Sequence, residues 1–313
     1  MIVLVTGCAG FIGTHLCQYL LKNDYQVIGI DNLNDYYDSE IKMNNLEILY
    51  AFEYFTFKKE DVYDTDCIKD FKPDKVIHLA SMAGVRFSIQ NPHVYTKVNI
   101  DGFIHIMNEC IKHNVRRVVY ASSSSVYGLN KKLPFSEDDH ISTCNSPYAC
   151  SKMAMELYAK MFHQLYGIST IGLRFFTVYG PRGRPDMAAY KFLKCISEEK
   201  TIDKYGDGES SRDYTYIDDI VQGIVAALEN EYIECEIYNL ANNNPVSLNT
   251  FIKTCESVIG KKANINQLPE QLGDVPHTCA DISKAMRDLN YNPKISLSDG
   301  LDNTWKSIIQ LSV

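Results

Sequence analysis

Met1-Ile-Val-Leu-Val-Thr6-Gly7-Cys-Ala-Gly10-Phe-Ile-Gly13 opens the chain. The apolar run Ile2 to Val5 reads as a strand buried on both faces, and it breaks into three glycines at three-residue spacing. An apolar-periodic stretch through Leu16, Tyr19 and Leu20 follows, so the segment is a strand, a tight turn and a helix N-terminus. Such a turn suits a dinucleotide pyrophosphate. One glycine permits the bend, a second lets the backbone approach the phosphates, and a third lets helix and strand pack closely. Other glycine-rich turns share the spacing. Asp31 strengthens the reading, because it follows the next apolar run (Val27 to Ile30), where an acid accepts the ribose hydroxyls of NAD. NADP would favour an arginine there.

Beyond this stretch, strands are expected at Gln26 to Ile30, Tyr54 to Phe57, Lys75 to Leu79, Arg117 to Ala121 and Ser169 to Arg174, with helices between them. The alternation predicts an α/β fold, a Rossmann-type doubly wound parallel sheet. Residues 1–180 are expected to form the NAD-binding unit, with 214–240 returning to it; residues 181–213 and 241–313 form a smaller mixed α/β substrate-binding unit. Ligands of such sheets sit at the carboxyl ends of the strands. The residues to inspect there are Asn32, Asp61 and Val62, and His78-Leu79-Ala80-Ser81. Asp61 suits either the adenine amine or a helix N-cap, and His78 reads as a core histidine.

A chain of 313 residues with 45% apolar residues buries a full core. Its net charge of −8 and scattered cations give no basic stripe, which argues against nucleic acid. The absence of a charged leader and of any apolar run near the ~18 residues of a membrane span predicts a soluble, cytoplasmic protein. Ten cysteines without a CxxC pair read as reduced thiols, and no metal site is expected.

Two helical stretches, about Pro92 to His113 and Tyr148 to Tyr166, carry apolar residues on more than one stripe, among them Val98, Phe103, Met107, Met155, Leu157 and Leu165. Their surplus faces fit either a homodimer through a four-helix contact or coverage by loops of the same chain.

The chemistry gathers after the Arg117 strand. Ala121-Ser-Ser123-Ser124-Ser125-Val-Tyr127-Gly128 stands at the sheet's carboxyl edge, and Ser146-Pro147-Tyr148-Ala-Cys-Ser-Lys152 starts a helix, so Tyr148 and Lys152 share one face. The pattern YxxxK also begins at Tyr54, Tyr127 and Tyr190, but only Tyr148 has a serine-bearing strand end before it and a helix start around it. A tyrosine of pKa ~10 acting as a base at neutral pH needs a shift of ~3 units, about 4 kcal/mol. One nearby cation supplies ~1 to 3 units. Lys152 alone is marginal, and an oxidised nicotinamide supplies the rest. Ser123 can hold the substrate hydroxyl or relay its proton.

With these residues assembled, the chain resembles the extended short-chain dehydrogenase/reductase family, and within it the nucleotide-sugar epimerases. The resemblance runs through Thr6-Gly7-Cys-Ala-Gly10-Phe11-Ile12-Gly13, Asp31-Asn32-Leu33-Asn34, Asn99, the serine cluster, Tyr148/Lys152 and Arg174-Phe-Phe-Thr-Val-Tyr-Gly-Pro181. It implies Ser123, Tyr148 and Lys152 as the catalytic set, and Asn99, Phe175 and residues 79–81 as lining the NAD. It also implies that Tyr148 deprotonates a sugar C4 hydroxyl while hydride passes to NAD and then returns to the other face. Dehydratases and decarboxylases of the family carry an acid where this chain has Ser124-Ser125, which favours simple C4 epimerisation.

Gly84-Val-Arg86-Phe-Ser and Thr177 to Met187 resemble the UDP-glucuronate 4-epimerases. Ser124, Ser125 and Thr177 with Arg184 make a chemically sensible carboxylate pocket. Arg182 stands where that subfamily usually has tryptophan, and it either alters the pocket or faces solvent. Arg86 either reaches the substrate or sits on the surface. Arg212 resembles the family's diphosphate arginine, and Asp274 its uridine ribose contact. The rival expectations are the same chemistry on UDP-glucose or UDP-N-acetylglucosamine, a non-catalytic NAD(P) sensor, and an enzyme with net redox.

Overall fold

The structure is a computed structural model that describes residues 1–141, 143–270 and 275–311. Strands β1 (Ile2–Thr6), β2 (Gln26–Ile30), β3 (Phe55–Lys58), β4 (Lys75–His78), β5 (Arg117–Ser123) and β6 (Ser169–Phe175) join the strand Cys235–Leu240 in one seven-stranded sheet. Its order is β3-β2-β1-β4-β5-β6 followed by Cys235–Leu240, and every pairing is parallel. The chain winds outward from β1 through β2 to β3, then crosses back to place β4 on the other side of β1. That reversal opens a crevice at the carboxyl ends of β1 and β4.

Alternation along the strands builds two cores. Val3, Val5, Ile77 and Val119 face one layer of helices, while Leu4, Val76 and Val118 face the other with Phe103 and Met107. All are fully buried, which is why the strand sequences read as continuous apolar runs rather than alternating ones. Two smaller sheets lie downstream: Thr177–Tyr179, Ser211–Tyr216 and Pro245–Ser247 form one, and Thr201–Tyr205 pairs with Asn264–Leu268 in the other.

The helix Pro147–Tyr166 carries the tyrosine–lysine pair and is bounded by its own sequence. Ser146 caps it by accepting the Ala149 N–H at 3.1 Å, and Pro147 occupies the first turn, where its missing N–H costs nothing. Gly167 ends it in the left-handed region at φ 65°. A buried ion pair fastens it to the sheet. Arg174 on β6 donates from Nε and Nη2 to the two oxygens of Glu156 at 2.9 and 2.8 Å, and Ser122 on β5 donates to Glu156 Oε1 at 2.6 Å. Ser122 and Arg174 are register partners, so one carboxylate grips two neighbouring strands. The guanidinium also lies 4.8 Å from the centre of the Tyr127 ring.

Removing one member of a buried pair leaves the other charge uncompensated, at a cost of ~3 to 5 kcal/mol. Glu156→Gln is therefore expected to lower unfolding free energy by about that amount in urea titrations. A loss too small to resolve in the same titrations would show that the pair does not hold the helix.

Candidate active site

A single cleft at the carboxyl ends of β1, β4 and β5 gathers most of the residues singled out in the sequence. Gly7, Gly10, Phe11, Ile12, Gly13, Asp31, Asn32, Asp61, Val62, Leu79, Ala80, Ser81, Ser123, Tyr148, Lys152, Phe175 and Arg184 all line it.

The dinucleotide half is built by close backbone approach. Gly7 has φ +74°, and a Cβ there would stand 2.8 Å from the Ala80 amide nitrogen; a Cβ on Gly13 would stand 2.1 Å from the Gly7 carbonyl oxygen. Neither position admits a side chain. Gly10 caps the helix Phe11–Lys22 without a side-chain hydrogen bond, so the first-turn N–H groups remain available to an anion. Asp31 is buried, and its Oδ1 accepts the Leu33 N–H at 2.9 Å and faces Lys42 Nζ at 3.5 Å. Its second oxygen retains acceptor capacity for ribose hydroxyls. Asp61 accepts from Asn32 Nδ2 at 2.7 Å. Val62 starts a turn rather than a helix, so of the two readings of Asp61 the N-cap is not the one realised. The glycine cradle, the uncapped helix and the buried acid together fit NAD.

The catalytic half rests on buried charge. Lys152 is 1% exposed and donates from Nζ to the Ala121 carbonyl at 2.7 Å. Burial brings its ammonium down to about 7, with Glu156 pulling the other way. Burial likewise raises the Tyr148 phenol above its ordinary value, opposed by a hydrogen bond with Ser123 and by the nearby Arg184 guanidinium. Ser123 ends β5 and accepts the Ser125 N–H at 3.2 Å, which fixes its hydroxyl. His78 is fully buried behind the cleft; its Nδ1 lies 2.9 Å from the Thr6 hydroxyl, which also accepts the Ala80 N–H at 3.1 Å. Burial and Lys152 bring this histidine down to about 3, so it is neutral and ties β1 to β4.

Other residues stand elsewhere. Asn99 does not face the cleft. It is fully buried in a π-helical stretch, Thr96–Asp101, and accepts the Met82 N–H at 2.8 Å while donating to the Met82 carbonyl at 3.0 Å and to Ser151 Oγ at 2.9 Å. It therefore supports the wall at residues 81–82 from behind, as π-bulges at functional sites do. Ser124 and Ser125, in a 3₁₀ turn after β5, and Thr177 are half-buried and follow directly on the cleft-lining Ser123 and Phe176. Arg86 is exposed, 5.9 Å from the Tyr205 ring centre, and Arg212 donates to the Ser211 and Pro276 carbonyls at 3.0 and 3.2 Å. Asp274 lies outside the described residues. Arg182 does not face solvent alone: its Nη1 donates to Asn45 Oδ1 at 3.0 Å, and Asn45 in turn donates to the Ala9 carbonyl at 2.9 Å.

The model of the NAD dependent epimerase/dehydratase family matches residues 3–241. The chain belongs to that family. It is 44% identical to a UDP-glucuronate 4-epimerase of Thermodesulfobacterium geofontis, over 96% of this chain and 94% of the relative. The crystal structure of UDP-glucuronic acid 4-epimerase from Bacillus cereus with UDP-glucuronic acid and NAD superposes with a TM-score of 0.94 at 40% identity, covering 99% of this chain and 100% of that one. A UDP-N-acetylglucosamine 4-epimerase from Methanobrevibacter ruminantium, in complex with UDP-N-acetylmuramic acid, gives 0.91 at 34% identity, covering 99% and 98%.

Within this epimerase-family cleft, the sequence reading missed Tyr36, Tyr37 and Lys42. The tyrosine pair follows Asp31 in the loop after β2, a position that itself marks a ligand-facing segment. Lys42 carried no signal, because a lysine on an amphipathic helix ordinarily faces water. Among the described residues no group of His, Cys, Asp and Glu is placed to hold a metal, and no helix is long and apolar enough to cross a membrane.

The depressed Lys152 pKa has a stability consequence. The unfolded chain keeps that proton up to about 10.5 and the folded chain releases it near 7, so the unfolded state binds more protons between these values and stability rises with pH across the window. The difference in unfolding free energy between wild type and Lys152→Met should move in favour of wild type from pH 7 to pH 10. A difference that stays flat would show that the lysine is not held neutral.

Proposed function

We propose that this epimerase inverts C4 of a UDP-linked uronate, interconverting UDP-glucuronate and UDP-galacturonate. The observation that carries the reading is that Arg184 opens onto the same cleft as Ser123, Tyr148 and Lys152, so a cation suited to a carboxylate stands beside the proton-transfer group. The activity of the relatives supports it.

Residues 7–13, Asp31, Asn32, Asp61, Val62, 79–81 and Phe175 would hold NAD. Bound there, NAD would supply a reversible hydride acceptor for the C4 hydrogen, so that inversion at C4 needs no net redox. Tyr148 removes the proton of the C4 hydroxyl and later gives it back. Ser123, hydrogen-bonded to Tyr148, keeps that path short, and Lys152, one helical turn away, offsets the phenolate charge only in its protonated form, which burial disfavours above about pH 7. In this reading residues 181–213 and 241–313 form the sugar-nucleotide unit; Arg212 is assigned to the diphosphate, Asp274 by resemblance to the uridine ribose, and Ser124, Ser125 and Thr177 with Arg184 to the carboxylate. Arg86, exposed over the Tyr205 ring, either reaches the substrate or stays at the surface.

A neutral sugar is the second reading, favoured by the fact that Arg184 already pairs with Asp186. We further infer a two-fold homodimer, because Val94, Leu157 and Leu165 on the two long helices remain exposed. A cytoplasmic setting fits the ten free cysteines.

Tyr148→Phe should abolish turnover on NAD-loaded protein without loss of bound NAD; activity within a few-fold of wild type would remove the assigned base. Arg184→Ala separates the two substrate readings. It should reduce kcat/KM for UDP-glucuronate by roughly 10²-fold, the worth of a charge-assisted bidentate contact, and for UDP-glucose far less. Equal losses on both sugars would remove the carboxylate contact.

A further inference from the structure

The loop that leads into the helix Ala188–Ser197 holds two opposite charges two residues apart. Arg184 donates from Nε to Asp186 Oδ1 at 3.0 Å and from Nη2 to Asp186 Oδ2 at 2.6 Å. The pairing is bidentate, the geometry a guanidinium offers to any carboxylate. Its two members differ in exposure: the Arg184 side chain is 19% exposed and that of Asp186 49%. The arginine is fixed on its other side, where its guanidinium lies 5.4 Å from the Tyr36 ring centre and is hydrogen-bonded to the Tyr36 hydroxyl. Tyr36 in turn packs edge-on against Phe87 at 5.0 Å. The cation is thus anchored in the cleft wall, while its anion is about half exposed to water.

We propose that Asp186 is an internal stand-in for the substrate carboxylate. It occupies the guanidinium edge of Arg184 in the free enzyme and is displaced by an incoming uronate. This rests on the uronate reading above and adds to it a residue that sets how tightly that substrate binds. A half-buried arginine with no counterion would bind any anion and would hold a charged product tenaciously. With Asp186 in place, one carboxylate is exchanged for another, and the net charge at the guanidinium changes little. A neutral hexose has nothing with which to displace Asp186 and leaves the pair closed. Substrate and product of C4 inversion carry the same carboxylate, so Asp186 weakens both together and leaves their equilibrium ratio untouched. It is a positioning residue for Arg184, without contact to the reacting C4 centre.

The test is Asp186→Asn, which keeps the side-chain shape and one acceptor oxygen but removes the competing charge. Titration calorimetry on the NAD-loaded protein would compare UDP-glucuronate with UDP-glucose, and steady-state assays would separate KM from kcat. Binding of UDP-glucuronate should tighten by roughly two- to fivefold, the worth of one partly exposed charge pair, with UDP-glucose unchanged. Asp186→Glu should bind both as wild type does. If wild type binds UDP-glucuronate and Asp186→Asn binds it equally or more weakly, Asp186 is no competitor, and the uronate reading stands. A change of the same size for both sugars marks a merely structural role and also overturns the inference. If neither protein binds the uronate in preference to UDP-glucose, the substrate reading fails and the inference falls with it.

Discussion

The site depends on how one helix is docked. Tyr148, Lys152 and Glu156 follow one another at intervals of four along the helix Pro147–Tyr166, so all three project toward the sheet. Glu156 is locked by Arg174 and Ser122, and Lys152 by the Ala121 carbonyl. Those contacts reach β5 and β6 near their carboxyl ends, and they leave Tyr148 no position but the mouth of the cleft. The fastening is polar and deeply buried. Such pairs add little net stability over apolar packing, but they penalise any alternative alignment that would separate the charges.

The same burial sets the electrostatics. Desolvation pushes Lys152 and His78 toward their neutral forms and raises the Tyr148 phenol. Opposing it are the Ser123 hydrogen bond and the Arg184 guanidinium. Tyr148 by itself is therefore a poor base, and its strength has to come from positive charge brought into the cleft. In the proposed mechanism a positively charged oxidised nicotinamide would meet that requirement and couple proton removal to the presence of the cofactor. Arg184 has two contacts of charge, as the partner of the Asp186 carboxylate and as a contributor to the field on Tyr148.

Much of this was legible in the sequence because it rests on local rules. The first strand and its glycines are fixed by hard sterics, with a Cβ at Gly13 colliding with the Gly7 carbonyl. The serine-tipped strand and the tyrosine–lysine helix follow from the 3.6-residue period and from caps at Ser146 and Gly167. What stayed hidden depends on tertiary packing. Nothing local distinguishes Lys42 from a solvated lysine or places Asn99 behind the wall. The turn at Val62 likewise depends on how Asp61 meets Asn32, 29 positions away in the chain. Arg182, whose alternatives were a pocket cation or a solvated one, instead reaches Asn45 and through it the phosphate turn. No spacing rule joins positions so far apart.

The reaction itself is the most direct test of the uronate epimerase reading. NAD-loaded protein is incubated with UDP-glucuronate and, separately, with UDP-glucose and UDP-N-acetylglucosamine, and the sugar products are resolved by proton NMR while absorbance at the reduced-nicotinamide band is followed. The predicted result is UDP-galacturonate from the uronate, with no accumulation of reduced cofactor and little or no turnover of the neutral sugars. Turnover of a neutral sugar alone, or stoichiometric reduction of the cofactor, would contradict it.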